Sequence, residues 1–124
     1  EWRGTHDPAA YLSVPAAINF MTERNWPAVR AACHALALDA RDRVVARYGQ
    51  PLASSDAWWS QMTLLPLPPC DVTALKRQLW DEFAVEIPNI EWKGRQYLRI
   101  SVQCYTGPRD IDRLLGAIGE LLPE

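Results

Sequence analysis

Hydrophobic residues recur every three or four positions between residues 25 and 49, which is the spacing of one face of an α-helix. Asn25 is suited to cap this helix and Pro27 falls in its first turn, while Gly49 and Pro51 end it. At ~1.5 Å per residue such a helix is roughly 33 Å long, enough to span a small domain. The apolar face consists of Val29, Cys33, Leu36, Ala40, Val44 and Tyr48, and the polar face of Arg30, His34, Arg41 and Asp42.

The same spacing predicts three further helices. A short one begins with Asp7 as the cap and Pro8 as the first helical residue, and Pro15 kinks or interrupts it. Asp71 caps a third helix, and Pro108 opens the last one. Their apolar faces consist of Val72, Leu75, Leu79 and Phe83 in the third helix and of Ile111, Leu114, Leu115, Ile118 and Leu122 in the last.

Strand patterns lie in the second half of the chain. They run from Trp59 to Leu67, from Val85 to Ile87 with Trp92 as the furthest end, and from Gln96 to Tyr105, with a turn at Lys93-Gly94. The order α-α-β-α-β-β-α predicts an α+β fold, in which helices cover one face of a small, mainly antiparallel sheet of about three strands. In the last strand we expect Leu98, Ile100, Val102 and Cys104 to face the helices, and Tyr97, Arg99, Ser101, Gln103 and Tyr105 to face away.

Composition narrows the class of protein. A chain of 124 residues with 48% apolar and 23% charged residues fits one folded domain. The net charge of -2 and the scattered basic residues give no patch for nucleic acid, and no apolar run approaches the ~20 residues that cross a bilayer. The three cysteines, Cys33, Cys70 and Cys104, are far apart, so we expect free thiols in a reducing cytoplasm rather than disulfides or a metal site.

Few residues carry chemistry that a familiar motif would explain. The sequence has no phosphate-binding glycine loop, no closely spaced His or Cys cluster and no nucleophile motif. Arg99 lies mid-strand on the face without helices, where its planar fork would match a carboxylate, although an exposed surface arginine is the simpler interpretation. Gly4 and Thr5 precede a helix start, where free N–H groups suit a phosphate, and an ordinary N-terminal turn explains them equally well. His6 and His34 are interpreted as capping or surface residues.

Two stretches of the chain together resemble one known family. Residues 2–18 follow the pattern W-x-G-T-x-D-x-x-x-Y-L-x-x-P-x-A-I, and residues 99–106 follow R-I-S-x-x-x-Y-N with Thr106 in place of the asparagine. These patterns are typical of class V aminotransferase-fold enzymes and are most similar to the isopenicillin N epimerase-like branch. The resemblance covers essentially the whole chain and matches the C-terminal portion of that family.

The resemblance implies a cytoplasmic, homodimeric enzyme of fold type I that uses pyridoxal 5′-phosphate (PLP) on a small amino-acid substrate. Arg99 would bind the substrate α-carboxylate. Gly4 and Thr5 would contact the cofactor phosphate, which the partner subunit mainly holds. His6 stands where family members often carry arginine, so a further anion contact at that position is not implied.

The resemblance also implies that the chain is one part of such an enzyme. The family's Schiff-base lysine lies upstream and neither Lys76 nor Lys93 matches its motif, so we expect no catalytic residue here and no activity from the isolated chain. We expect one small C-terminal domain over residues 1–124, with a connecting helix segment at 1–22 and an α/β core at 23–124. The missing large domain is expected to cover an apolar surface involving Trp2, Trp26, Trp58 or Trp59.

The reaction is less closely defined than the cofactor. Arg99 would serve epimerisation, lyase chemistry and transamination equally, and an epimerase-like reaction is our preferred interpretation. The cysteines lack the Ser/Gly-rich loop that surrounds the catalytic cysteine of desulfurases. The alternative hypothesis is a stand-alone α/β ligand-binding or regulatory module with no catalytic activity, which predicts a stable monomer no longer than this chain.

Overall fold

The structure, a computed structural model, describes residues 4–5 and 7–122 and confirms the predicted α+β fold. Three strands form one antiparallel sheet, and the long helix crosses one of its faces. The helices are α1 (Ala9–Leu12), α2 (Val14–Glu23), α3 (Trp26–Tyr48), α4 (Val72–Phe83) and α5 (Pro108–Leu121), and the strands are β1 (Met62–Pro66), β2 (Asn89–Trp92) and β3 (Arg95–Ser101). A short 3-10 turn spans Asp56–Trp58.

Most of the predicted helix boundaries are confirmed because local residues set them, but α1 begins at Ala9, and Pro8, expected as its first residue, lies at the cap position. Asp71 caps α4 as expected, since its Oδ1 accepts hydrogen bonds from the Thr73 and Ala74 amides at 2.9 and 3.0 Å. Gly49 ends α3 in a left-handed conformation, with φ of 61°, and its amide donates to the Val45 carbonyl. Asn25 does occupy the cap position of α3, but its side chain makes no capping hydrogen bond.

The strand boundaries differ from the prediction at three places, and one of them is β1, which spans Met62–Pro66 rather than Trp59 to Leu67. Residues 85–88 are not a strand, and β2 begins at Asn89, because only its four residues pair with β3. β3 ends at Ser101 rather than Tyr105, since the chain turns where the Thr106 amide donates to the Gln103 carbonyl. Cys104 therefore lies exposed in this turn, and the expectation that it faces the helices is wrong.

The sheet order is β1-β3-β2, so β3 is hydrogen-bonded to a strand on both sides. Leu98 lies opposite Leu65 of β1 and Asn89 of β2. On the face toward the helices, Leu65, Leu98 and Ile100 join one buried apolar cluster. The members of this cluster in the helices are Cys33, Ala37, Ala40, Val44, Leu75, Leu79, Ile111, Leu114, Ala117 and Ile118.

The opposite face of the sheet is not open along its whole length. Tyr97 has none of its surface exposed, and it lies between Pro66 of β1 and Ile90 of β2, which share its face. Alternation along a strand assigned Tyr97 to the correct face. It could not reveal that this face is covered at that residue.

Arg41 was expected on the polar side of α3, and this expectation is also wrong. The residue is only 4% exposed. Its Nε and Nη2 atoms donate to Asp42, Nη1 donates to Asp56, and the guanidinium lies 5.2 Å from the centre of the Trp59 ring. We call these four side chains the Arg41 cluster, which joins α3 to the segment before β1.

The N-terminal arm, defined as α1 and α2, contributes no buried residue. It packs against the start of α3, where the Phe20 and Trp26 rings are 5.9 Å apart. Pro15 lies in the first turn of α2, so the predicted interruption falls between the two short helices. The arm leaves large apolar side chains in contact with solvent: Tyr11, Leu12, Val14, Ile18, Phe20 and Met21.

Candidate functional site

Arg99 lies on the central strand at the point where β2 has ended. On one side it is opposite Leu64 of β1, and on the other its amide donates to the Pro88 carbonyl at 2.9 Å. The side chain is half-buried and belongs to the same face as Tyr97 and Ser101. The sequence therefore placed Arg99 on the correct strand and face.

A cleft beside Arg99 separates the end of β3 from residues 85–88 and the first turns of α5. Its volume is about 270 Å³, near the lower limit of small-molecule sites. We call it the Arg99 cleft. Apart from Arg99, its polar lining side chains include Glu86, Ser101, Thr106 and Asp110.

The guanidinium of Arg99 is not neutralised by any carboxylate of the described residues within 4 Å. The nearby Asp110 is committed elsewhere, because its Oδ2 accepts from the Gly107 amide at 2.7 Å and closes the start of α5. The Nε atom of Arg99 is buried and has no hydrogen-bond partner among the described residues. A buried donor without an acceptor is costly, and this one is charged. The arrangement therefore favours an incoming anion.

Gly4 and Thr5 lie apart from this cleft. Both are exposed and precede α1, and neither lines the Arg99 cleft. Gly4 has a φ of 73°, and a Cβ at this position would meet nothing within 4 Å. Its amide and the Thr5 hydroxyl are thus approachable by a phosphate. His6 falls outside the described residues.

The lysines and histidine of the described chain offer no nucleophile or base to the cleft. Lys76 is exposed on α4, and the Lys93 ammonium lies 4.5 Å from the centre of the Trp92 ring at the hairpin turn. The His34 ring lies 4.7 Å from the Trp59 ring, and its Nδ1 is 2.5 Å from the Ser60 carbonyl oxygen. His34 therefore holds the segment before β1 in place.

The three cysteines are free thiols in different environments. Cys33 is buried, Cys70 is half-buried and Cys104 is exposed. Burial, and secondarily the charge of Asp71, raises the pKa of Cys70 above its ordinary value, so this thiol is a weaker nucleophile at neutral pH. The residues that the structure describes include no group of three metal-ligating side chains, and none of their helices could span a membrane.

Comparison with known proteins adds a family assignment. No family model matches the chain. It is 35% identical over 127 residues to isopenicillin N epimerase of Streptomyces clavuligerus, covering 100% of this chain and 32% of that protein. It is 32% identical over 124 residues to isopenicillin N epimerase of Amycolatopsis lactamdurans, covering 98% and 31%. The chain belongs to the class V aminotransferase-like family.

Within this family the chain corresponds to a C-terminal fragment, because it spans only about a third of the length of the relatives it matches. A probable chloroplastic L-cysteine desulfhydrase of Arabidopsis thaliana is 29% identical over 139 residues, covering 98% of this chain and 29% of that protein. The relatives thus carry names from two different reactions.

The sequence did not identify Tyr97, two residues from Arg99, as a candidate functional residue. The Tyr97 hydroxyl is buried and has no hydrogen-bond partner within residues 4–5 and 7–122. Alternation put it on the same face as Arg99, but a single strand pattern does not show whether a side chain on that face is covered or satisfied. Only the three-dimensional packing reveals the unpaired hydroxyl.

Proposed function

We propose that this chain is the small-domain part of a longer PLP-dependent enzyme that acts at the Cα of an amino-acid substrate, by epimerisation. The observation that carries the proposal is Arg99, a permanently charged side chain with an unpaired, buried donor beside a small cleft. A guanidinium fork matches the two oxygens of a carboxylate and keeps its charge at any working pH. Arg99 would therefore bind the substrate α-carboxylate and fix the orientation of Cα.

The residues present fit the cofactor in part. Gly4 and Thr5 would donate hydrogen bonds to its phosphate from their position before the N-terminal arm, where both are exposed and thus open to a partner subunit. Pyridoxal phosphate, when bound, withdraws electrons from Cα and so makes the Cα proton more acidic. Neither Lys76 nor Lys93 lies near Arg99 in a cleft, so the lysine that bonds to the cofactor and moves this proton would come from the large domain.

The exposed N-terminal arm supports a missing domain. Short helices with little packing are marginal in water, and this arm exposes six large apolar side chains. Trp58, 83% exposed, is a further part of the surface we expect the large domain to cover. The isolated chain would accordingly bind PLP poorly and catalyse nothing. We further propose that the full-length protein is a cytoplasmic homodimer.

Epimerisation is preferred over sulfur chemistry for two reasons. The two relatives above 30% identity are named isopenicillin N epimerases, whereas those named L-cysteine desulfhydrases are 29% and 26% identical. In addition, Cys70 has a raised pKa, Cys33 is buried, and Cys104, although exposed, does not line the Arg99 cleft, so none of the three is placed to act there as a nucleophilic thiolate.

The test uses the full-length polypeptide that contains this chain. We expect a yellow absorption band that borohydride abolishes, and exchange of the Cα proton of isopenicillin N in deuterated water, followed by NMR. Release of sulfide from L-cysteine without Cα exchange of isopenicillin N would replace epimerisation by desulfhydration. If the natural polypeptide is no longer than this chain and shows no absorption band after PLP is added, the proposal is refuted and the stand-alone binding module is favoured.

The matched variants are Arg99→Lys and Arg95→Lys. Both replacements keep the positive charge, but Arg95 is an exposed residue at the other end of β3. Arg99→Lys loses the planar fork and is expected to raise KM for the amino acid roughly tenfold to a hundredfold. Arg95→Lys should leave it unchanged. Equal KM values for the two variants would remove Arg99 from the site.

A further inference from the structure

Two buried donors that have no partner in the described part of the chain lie on the same face of the central strand. They are the Tyr97 hydroxyl and the Arg99 Nε atom. Residues two apart on a strand point to the same side and are spaced by about 6.6 Å. Native proteins leave few buried polar groups unpaired, and each such group calls for an explanation. Two adjacent ones on one face call for a shared explanation.

The Tyr97 hydroxyl has no acceptor in the part of the chain that the structure describes. Its neighbours directly across the sheet on the same face are Pro66 and Ile90, whose side chains have no polar atoms. The residue is nevertheless completely buried. Phenylalanine would fill the same space without an unpaired hydroxyl, so the packing of the fold does not account for the tyrosine.

We propose that Tyr97 is a second ligand-contacting residue, whose hydroxyl donates a hydrogen bond to the carboxylate that Arg99 binds. This inference rests on the proposed function of Arg99. An ionised carboxylate is an acceptor only, with about four lone-pair sites, so it can accept from a guanidinium and from a phenol at the same time. Arg99 is only partly exposed and the Tyr97 hydroxyl is buried, so this contact requires the side chains that cover the hydroxyl to move when the ligand binds.

A second tyrosine provides a matched control. The Tyr48 hydroxyl is satisfied within the fold, since it donates to the Leu122 carbonyl oxygen at 2.8 Å at the end of α5. Removing the Tyr48 hydroxyl therefore costs a structural hydrogen bond, whereas removing the Tyr97 hydroxyl costs none. Tyr97→Phe is therefore expected to weaken ligand binding without loss of stability. Tyr48→Phe is expected to lose stability without weaker ligand binding.

The experiment uses the full-length protein loaded with PLP, as wild type, Tyr97→Phe and Tyr48→Phe. The probes are L-cysteine and cysteamine, which differ only in the carboxylate, and the readouts are their dissociation constants and the urea midpoint of unfolding. For Tyr97→Phe we expect L-cysteine to bind roughly tenfold to a hundredfold more weakly, as for the loss of a hydrogen bond to a charged group. Cysteamine binding should not change, and the urea midpoint should stay equal or rise. For Tyr48→Phe the midpoint should fall and neither dissociation constant should change.

Three outcomes would overturn the inference. Unchanged L-cysteine binding by Tyr97→Phe would show that the hydroxyl does not contact the carboxylate. An equal loss for both probes would indicate a general distortion of the site, and a clear fall of the urea midpoint would show that the hydroxyl has a partner within the fold. The Arg99→Lys variant distinguishes a wrong role for Tyr97 from a wrong role for Arg99 in the proposed function. If wild type and Arg99→Lys discriminate L-cysteine from cysteamine equally, the carboxylate contact of Arg99 is itself wrong.

Discussion

Removing Arg41 is expected to destabilise the chain less than removing its two acidic partners. The residue is 4% exposed, whereas the side chains of Asp42 and Asp56 are 58% and 53% exposed. In Arg41→Met the stem is largely preserved and both carboxylates return to water at little cost. In the double variant Asp42→Ala/Asp56→Ala the buried guanidinium stays behind without a carboxylate, which is the costly half of a broken buried pair.

The magnitude for Arg41→Met follows from what the variant loses and regains. Ion pairs with half-exposed partners contribute little, and the contact between the guanidinium and the Trp59 ring contributes about 0.5–1 kcal/mol. Loss of the cation also removes its desolvation penalty. We therefore expect a loss of about 1–2 kcal/mol of unfolding free energy, and a larger loss for the double variant.

The measurement is urea unfolding of the 124-residue chain at pH 7, followed by far-ultraviolet circular dichroism. Arg43→Met is the control, because Arg43 pairs with Asp39 and Asp112 on the surface and its loss should change the midpoint little. A double variant as stable as Arg41→Met would show that the two acids do not compensate the buried charge, and would refute the reasoning.

Three further predictions concern ionisation and capping. The hydrogen bond from Arg41 holds the pKa of Asp56 below its ordinary value, so its stabilisation is present above pH ~4 and is lost as the pH falls further; acid titration of stability should show this decline in wild type and not in Arg41→Met. Asp71→Ala should lower the free energy of unfolding by about 1 kcal/mol through loss of the helix cap. The control is Asp81→Ala, which removes a carboxylate from within α4 rather than from its cap; equal urea midpoints of the two variants would contradict the capping role. Cys70 should react with iodoacetamide more slowly than exposed Cys104 at pH 8, and equal rates in peptide mapping would contradict the raised pKa.

The parts of the fold that the sequence predicted are those controlled by neighbouring residues. Asp71 and Gly49 determine helix ends through contacts with residues a few positions away, so their roles can be predicted from the sequence alone. Strand ends depend on which distant residues pair, and β2 begins at Asn89 only because Leu98 lies opposite it. No local pattern contains that information.

The same division applies to the candidate site. Arg99 was assigned to its strand and face because alternation with period two is a local property. The burial of Arg41 and the unpaired hydroxyl of Tyr97 were not foreseen, because each depends on what covers the side chain from elsewhere in the chain. The prediction that Cys104 faces the helices was wrong for a related reason, because β3 ends at Ser101 while the alternation of apolar and polar residues continues beyond it.

The position of β3 between two strands has a consequence for how the proposed ligand-binding side chains move. A strand paired on both edges can exchange its amide hydrogens only after a neighbour has separated, so it opens late among the elements of a sheet. Tyr97 and Arg99 are attached to this slow-opening backbone, whereas the opposite wall of the cleft is residues 85–88, which belong to no strand. Any opening and closing around a ligand would therefore occur by motion of that wall, while the backbone that carries the two residues keeps its position.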